Sequence, residues 1–242
     1  MDLNNEQEPS EGRVSAGRRS FIRTGMLASL SGVAGVGIFT GCKNKEGEDK
    51  EVSPPEDLMQ EHGLLDRVLL IYDACRGSLA NGKSFPPEAL ISAAGVIRMF
   101  VEDYHEKQEE NYLFPRFRKA NQLTDLVDTL LTQHQAGRVL TDRIMQLAKV
   151  ATSTADEKQR LIQTLTAFNT MYRPHEARED TILFPAFRKM VSKHEYASLG
   201  EEFEKNEQKL FGKDGFESMV EKVAGVEKSL GIYDLSQFTP RV

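Results

Sequence analysis

The sequence has no tryptophan and only two cysteines, Cys42 and Cys75, among its 242 residues. Two cysteines are too few for a disulfide scaffold, so the fold must depend on an apolar core. Hydrophobic residues make up 39% of the chain and include 13 phenylalanines, which is enough for such a core. Cys75 lies in an apolar helical pattern and is predicted to be a small buried residue rather than a reactive thiol.

The chain also lacks an excess of basic residues. It has 31 Lys and Arg against 37 Asp and Glu, which gives a net charge of −6, and its body contains no prominent Lys/Arg block. Nucleic acid is therefore not expected as the main partner. No strand pattern of convincing length occurs either, and the predicted fold class is all-α.

Residues 1–41 have the features of an export signal. The pair Arg18-Arg19 precedes an uncharged, glycine-rich run over residues 24–41, and small residues come directly before Cys42. This order is typical of a secretory signal. The length of the apolar run also fits a plain N-terminal membrane anchor, which stays open as the alternative.

Two short motifs in this segment resemble known bacterial signals. Arg-Arg-x-Phe-Ile-Arg resembles the twin-arginine export signal, with Gly17 at a position usually taken by Ser or Thr. Residues 39–42, Phe-Thr-Gly-Cys, resemble a lipobox in which Phe replaces the usual Leu. Together they predict an exported protein on the periplasmic side of the cell envelope, lipid-anchored at Cys42, with residues 42–53 as a flexible linker.

Four of the five histidines fall into one internal repeat. His-x-x-x-Glu followed by Leu-Phe-Pro-x-Phe-Arg-Lys begins at His105 and again 70 residues later at His175, and the upstream His62 and His134 are 72 residues apart. A repeat of this length indicates a duplicated supersecondary unit, here a helical hairpin with one histidine on its first helix. Two hairpins predict four helices over residues 54–191.

Start and stop signals support these helices. Ser53 and the prolines after it open the first helix, Asn81-Gly82 ends it, and Thr154 caps the fourth. Pro115 is expected to end or kink the second helix. Residues 192–242 are predicted to form a C-terminal extension with one or two amphipathic helices and a final tail.

The repeated residues are suited to binding metal. On an α-helix, residues four apart lie on one face, about 6 Å apart along the axis, so each His-x-x-x-Glu can present a nitrogen and a carboxylate to one point. Imidazoles with carboxylates suit first-row metals such as Fe, Mn or Zn, and a carboxylate can bridge two ions. The predicted metal site consists of His62, His105, Glu109, His134, His175 and Glu179.

Taken singly, these residues have simpler interpretations, because a His-x-x-x-Glu pair is usually exposed and a lone inward histidine is usually a hydrogen-bonded core residue. The twofold register of all six favours metal, since four inward histidines without metal would each need a buried partner. The adjacent Glu106, Glu110 and Glu176 are expected either to hydrogen-bond to the ligands or to be solvated. His194 matches no motif and is predicted to lie at the surface.

Residues 56–190 resemble the hemerythrin-like (HHE cation-binding) domains. The resemblance rests on the two single histidines, on both His-x-x-x-Glu motifs and on the Leu-Phe-Pro that follows each of them. It implies an up-and-down four-helix bundle around a non-haem centre of two iron ions, bridged by oxo and carboxylate groups. Another first-row metal is compatible with the same residues.

The sequence departs from the oxygen-carrying hemerythrins at Arg138, where those proteins have a second histidine four residues after the third-helix one. With four histidines it looks more like the bacterial iron-centre-repair and eukaryotic iron-sensing members. Arg138 is expected either to turn toward a ligand carboxylate or to pair outward with Asp142. Because a ligand is missing, a long-lived reversible O2 complex is not expected.

A second departure concerns the last carboxylate. The carriers use a carboxylate five residues after the last histidine, which would be Asp180. Five residues turn a side chain by about 140° on a regular helix, so Glu179 is favoured. Pro174 could distort the helix and restore Asp180 as the ligand.

Two functions follow from these expectations. The first is a di-iron protein that binds or senses O2 or NO, or handles iron, at the cell envelope. The alternative is a di-iron oxidoreductase that reduces O2, peroxide or NO. The sequence contains no recognisable electron-donor domain and no redox cysteine pair, which favours the binding function over the enzyme.

Overall fold

The computed structural model describes residues 53–149 and 154–241. The predictions about the export signal, the lipobox and most of the linker lie outside these residues. The described part of the chain is helical without any strand, which confirms the predicted all-α class. Its helices are α1 (Pro54–Ala80), α2 (87–120), α3 (Thr124–Ala148), α4 (155–190), α5 (Lys193–Phe211) and α6 (Gly215–Ser229).

Local sequence signals explain where several helices begin and end. The Ser53 backbone N–H donates to Glu56 Oε2 at 3.0 Å, and two prolines occupy the first turn of α1. The chain leaves α1 at Gly82, whose φ of 66° is readily adopted only by a residue without a side chain. At the start of α4, the Thr154 hydroxyl accepts the Glu157 N–H at 3.2 Å.

Helices α2 and α4 contain wider, π-helical turns. In α2 these are Ile97–His105 and Glu109–Leu113, and in α4 the turn is Glu179–Leu183. Each five-residue turn begins at the Glu of a His-x-x-x-Glu motif and ends directly before Phe-Pro. A proline ring in a regular α-helix clashes with the carbonyl four residues earlier, and a widened turn relieves this clash. Pro115 therefore does not end α2, contrary to one expectation.

The apolar core consists of two clusters with the predicted site residues between them. One cluster includes Tyr72, Phe100 and Phe168, and the other includes Phe117 and Phe187. On each of α1 to α4, the predicted ligands lie between residues of one cluster and residues of the other. The bundle thus holds a polar layer between two apolar layers.

The C-terminal helices pack on the bundle instead of standing apart from it. Met219, Val223 and Val226 of α6 join the first apolar cluster, and Phe203 of α5 joins the second. The hydroxyl of Tyr104 in α2 donates to the Phe203 carbonyl at 3.5 Å. The predicted tail contains one exposed 3₁₀ turn, Leu235–Phe238.

Cys75 is fully buried, and burial raises the pKa of its thiol to about 12, as befits an inert core residue. Of the helices within residues 53–149 and 154–241, none is both long enough and apolar enough to cross a bilayer.

Candidate metal centre

The structure brings the six predicted ligands together in the middle of the bundle. One histidine comes from α1 and one from α3, while α2 and α4 each supply a histidine and a glutamate. All six side chains are almost completely buried, with at most 4% of any residue exposed. His194, predicted at the surface, is indeed exposed near the start of α5.

The six residues form two groups of three. His62, His105 and Glu109 form the first half-site, and His134, His175 and Glu179 form the second half-site; within each group, one potential ligand atom per residue lies within 4.8 Å of the others. Each half-site comes from one helical hairpin, so the sequence repeat becomes a spatial repeat. The arrangement could hold two cations side by side.

The two carboxylates lie between the half-sites. Glu179 Oε2 is 3.2 Å from His175 Nε2 and 3.3 Å from His62 Nε2 of the opposite half-site. Glu109 Oε2 is 3.5 Å from His134 Nε2 and 3.8 Å from His105 Nε2. Each carboxylate therefore approaches imidazoles of both half-sites, which is the position required of a bridging ligand.

An oxygen acceptor holds the outer nitrogen of each histidine in the first half-site. His105 Nδ1 lies 2.7 Å from Glu61 Oε2, and His62 Nδ1 lies 2.8 Å from Asp180 Oδ1. An ionised carboxylate only accepts hydrogen bonds, so each Nδ1 donates and each Nε2 faces inward. Outer partners of this kind fix the orientation of metal-binding histidines.

The second half-site repeats the pattern with two changed partners. His175 Nδ1 lies 2.9 Å from Gln133 Oε1, and His134 Nδ1 lies 3.2 Å from Glu110 Oε1. Gln133 directly precedes His134 just as Glu61 precedes His62. Glu110 directly follows Glu109 just as Asp180 follows Glu179.

Sequence reasoning missed two of these four partners, Glu61 and Gln133. The available signal was an acceptor directly before the first-helix histidine in both hairpins. Asp180 was considered only as an alternative ligand to Glu179. The structure instead buries Glu179 completely and places Asp180 against the outer nitrogen of His62.

Arg138 turns inward, but toward neither of the partners expected for it. Its guanidinium lies 2.6 Å from Glu106 Oε2 and 2.7 Å from Glu110 Oε1, and both acids stand beside predicted ligands. Asp142, the expected outward partner, pairs with Arg98 at 2.5 Å. Glu106 and Glu110 also form, together with His134, a third group of potential metal ligands. The Arg138 guanidinium therefore pairs with two members of this group.

Tyr172 completes this polar network. Its hydroxyl donates to Glu106 Oε1 at 2.8 Å, and its ring meets His175 edge-on with the centroids 5.5 Å apart. Gly137 makes room for the hydroxyl, because a Cβ at that position would lie 2.0 Å from the phenolic oxygen. Arg138 and Tyr172 thus both donate to Glu106, which is buried and hydrogen-bonded and not solvated.

The electrostatics of the metal-free site favour a bound cation. Burial, reinforced by the charge of Glu179, raises the pKa of Glu109 well above its ordinary value. Burial would also raise the pKa of Glu179, but His175 and His62 hold it well below its ordinary value. None of the four oxygens of these two carboxylates accepts a well-directed hydrogen bond in the described structure, and the contacts of Glu179 Oε2 and Glu109 Oε2 are those to the imidazole nitrogens given above.

Two adjacent buried carboxylates with imidazoles as their only close partners are unfavourable in the charged form unless a cation binds them. Neighbouring imidazoles with inward Nε2 atoms supply the nitrogen ligands that iron, manganese or zinc accept. The side chains therefore fit the metal centre that the sequence resemblance implies.

Glu176 is a further buried acid, and burial raises its pKa to about 9.

The fold and the site define a helical-bundle protein whose buried His/Glu clusters are compatible with metal binding. Residues 53–187 match the model of the hemerythrin HHE cation binding domain. The chain is also similar to uncharacterized proteins of Mycobacterium tuberculosis (strain ATCC 25618 / H37Rv) and Mycobacterium bovis (strain ATCC BAA-935 / AF2122/97). Each is 45% identical over 239 residues, which cover 94% of this chain and 92% of the relative.

No solved structure matches the chain significantly. The family match covers more than half of the chain, and the mycobacterial relatives cover nearly all of it. The chain therefore belongs to the hemerythrin HHE cation-binding domain family, and its His/Glu clusters are compatible with metal binding.

Proposed function

We propose that this chain is a non-haem di-iron protein that binds or senses O2 or NO, or handles iron, at the cell envelope. The observation that carries the proposal is the pair of buried carboxylates, Glu109 and Glu179, placed without well-directed hydrogen bonds between two pairs of inward-facing imidazoles. Two cations would neutralise these carboxylates and use all six inward groups.

The residues around the centre have separate tasks in this proposal. The six inward groups would hold the iron, and the iron would supply the redox chemistry and the affinity for a diatomic ligand. The outer acceptors keep each imidazole oriented and protonated at Nδ1. The two apolar clusters restrict the access of water to the layer between them.

The first test is the metal content of the purified protein and its reaction with diatomic ligands. Elemental analysis should find two iron ions per chain, and NO should change the optical spectrum of the reduced protein. O2 should not give a spectrum that disappears on deoxygenation and returns over many cycles. Such reversible cycling would indicate an O2 carrier and contradict the expectation of a short-lived O2 complex, whereas catalytic turnover of O2, peroxide or NO would support the alternative, an oxidoreductase.

The cell-envelope part of the proposal depends on residues outside the described structure. Changing Arg18→Lys together with Arg19→Lys is expected to retain the protein in the cytoplasm, because the twin-arginine route requires the pair. Cys42→Ser should leave export intact but prevent lipidation, so that the protein leaves the membrane fraction. Fractionation and lipid labelling measure both effects, with Arg23→Lys as a control outside the pair. Normal export of the double variant would indicate a general secretory route or a simple anchor.

A further inference from the structure

The outer hydrogen bonds differ between two half-sites that are otherwise equivalent. We infer that the second half-site holds its metal less tightly than the first, and that Gln133 is a main determinant of the difference. This inference rests on the proposed di-iron function and deepens it, since it states which iron exchanges. It concerns positioning residues that do not touch the metal themselves.

In the first half-site, both histidines donate to carboxylates. The distances are 2.7 Å from His105 to Glu61 and 2.8 Å from His62 to Asp180. In the described part of the chain, Asp180 has no Lys or Arg within ion-pair distance. A carboxylate that accepts the outer N–H increases the electron density of the imidazole and makes Nε2 a better metal ligand.

In the second half-site, both acceptors are weaker. Gln133 offers a neutral amide oxygen to His175 at 2.9 Å. Glu110 is charged, but its oxygens are shared with Arg138 at 2.7 Å and Lys107 at 2.5 Å, and it stands 3.2 Å from His134. Charge that is already neutralised by two cations polarises an imidazole less. Both histidines of this half-site therefore receive less support than their counterparts.

Because the two hairpins repeat each other, Glu61 and Gln133 can be compared directly. Glu61 and Gln133 occupy the same position in the two hairpins, each directly before the first-helix histidine and each against the second-helix histidine. Glu and Gln have nearly the same shape, so exchanging them changes the charge of the acceptor with little change in packing. Gln133 is only partly buried, so a carboxylate at that position keeps some contact with water.

The size of the effect follows from outer-shell substitutions at other metal sites. Loss of such a partner typically lowers metal affinity by about 10- to 100-fold. We therefore expect the iron of the second half-site to leave at least about 10-fold faster than that of the first.

The test follows the release of iron into a chelator. The purified full chain, loaded with two Fe(II) under anaerobic conditions, is mixed with an excess of a chromophoric Fe(II) chelator. The wild type should release iron in two phases of about one equivalent each. Gln133→Glu should slow the fast phase and bring the two phases together, while Glu61→Gln should accelerate the slow phase.

Gln135→Glu is the matched control, because it adds the same charge two residues away on the exposed side of α3. It should leave both phases unchanged. Release of both irons from the wild type in one phase would overturn the inference. So would a Gln133→Glu variant that keeps the wild-type fast phase, or a control that slows release equally. A wild-type chain that takes up fewer than two iron ions would instead refute the di-iron function itself.

Discussion

Glu109→Gln is expected to remove at least one of the two iron ions while leaving the metal-free fold as stable as the wild type. Glu109 is fully buried, and burial together with the charge of Glu179 raises its pKa, which favours the protonated form of Glu109 when no metal is bound. Glutamine has the same size and is also neutral, so it replaces the protonated acid at little cost. With metal, however, the amide supplies no charge and is a poor bridging ligand.

Two measurements separate these effects. Elemental analysis gives the iron content, and urea unfolding with and without chelator gives the stability of the loaded and the metal-free protein. A bound metal stabilises the fold by about 2.7 kcal/mol when the free metal exceeds its Kd a hundredfold. The wild type should lose this contribution when chelator is added, whereas Glu109→Gln should lose less of it.

Glu227→Gln is a control with the opposite expected result, namely a lower stability and an unchanged iron content. Glu227 is buried in α6, is not one of the predicted ligands or their outer partners, and accepts two hydrogen bonds from Arg67 at 2.6 and 3.0 Å. Its substitution should reduce stability by about 1–3 kcal/mol through the weakened charged hydrogen bonds, without lowering the iron content. Full retention of two iron ions by Glu109→Gln would remove it from the ligand set. An equally large loss of metal-free stability in both variants would show that Glu109 has a packing role.

The sequence was sufficient to predict the helices and to select the six inward residues, because both follow from local periodicity and from one duplicated motif. His62 and His134 lie on apolar stripes, and His105 with Glu109 lies on one helical face. Such relations require only the spacing of residues along a helix. The convergence of the six on one point then follows from packing the apolar faces together.

The outer partners could not be derived in the same way. His62 forms a hydrogen bond with Asp180, and His134 forms one with Glu110. Each of these hydrogen bonds joins a residue of one hairpin to a residue of the other. Which side chains meet there depends on the relative rotation and height of neighbouring helices, which a single sequence does not specify. The π turns were missed for a related reason, since a regular 3.6-residue period has no signature for one widened turn.

The C-terminal helices illustrate the same limit. Their amphipathic pattern predicted helices within residues 192–230, and α5 and α6 lie there. Their docking against α1 and α2 depends on contacts between distant residues, such as Arg67 with Glu227 and Asn206 with Gln108 at 3.3 Å. The contact of Asn206 with Gln108 connects the extension to α2 directly beside Glu109. The position of the extension next to the centre was therefore not predictable from its amphipathic pattern.

Arg138→Gln is expected to destabilise the metal-free protein by about 2–4 kcal/mol, near the lower end of the range for breaking a buried ion pair. Arg138 lies between Glu106, which is 1% exposed, and the partly buried Glu110. Burial raises the pKa of Glu106 well above its ordinary value although the charge of Arg138 opposes this, whereas burial of Glu110 is outweighed by hydrogen bonds from His134, Lys107 and Arg138, which hold its pKa at about 2. The effect should not exceed this range, because 23% of the Arg138 side chain is exposed and water can partly replace it.

Arg143→Gln serves as the control for this variant, since Arg143 lies five residues further along the same helix, is exposed, and makes no ion pair within the described residues. Its substitution should change the stability by less than about 0.5 kcal/mol. Urea unfolding of both metal-free variants measures the difference. If Arg138→Gln cost no more than Arg143→Gln, then a proton on Glu106 and the Lys107 charge beside Glu110 would be enough to keep both acids in place, and the guanidinium would be a replaceable surface group. A large loss of stability in Arg138→Gln alone would instead mean that Arg138 supplies the positive charge that holds these two acids beside the centre. Arg138 stands where the oxygen carriers have the second histidine of their third helix.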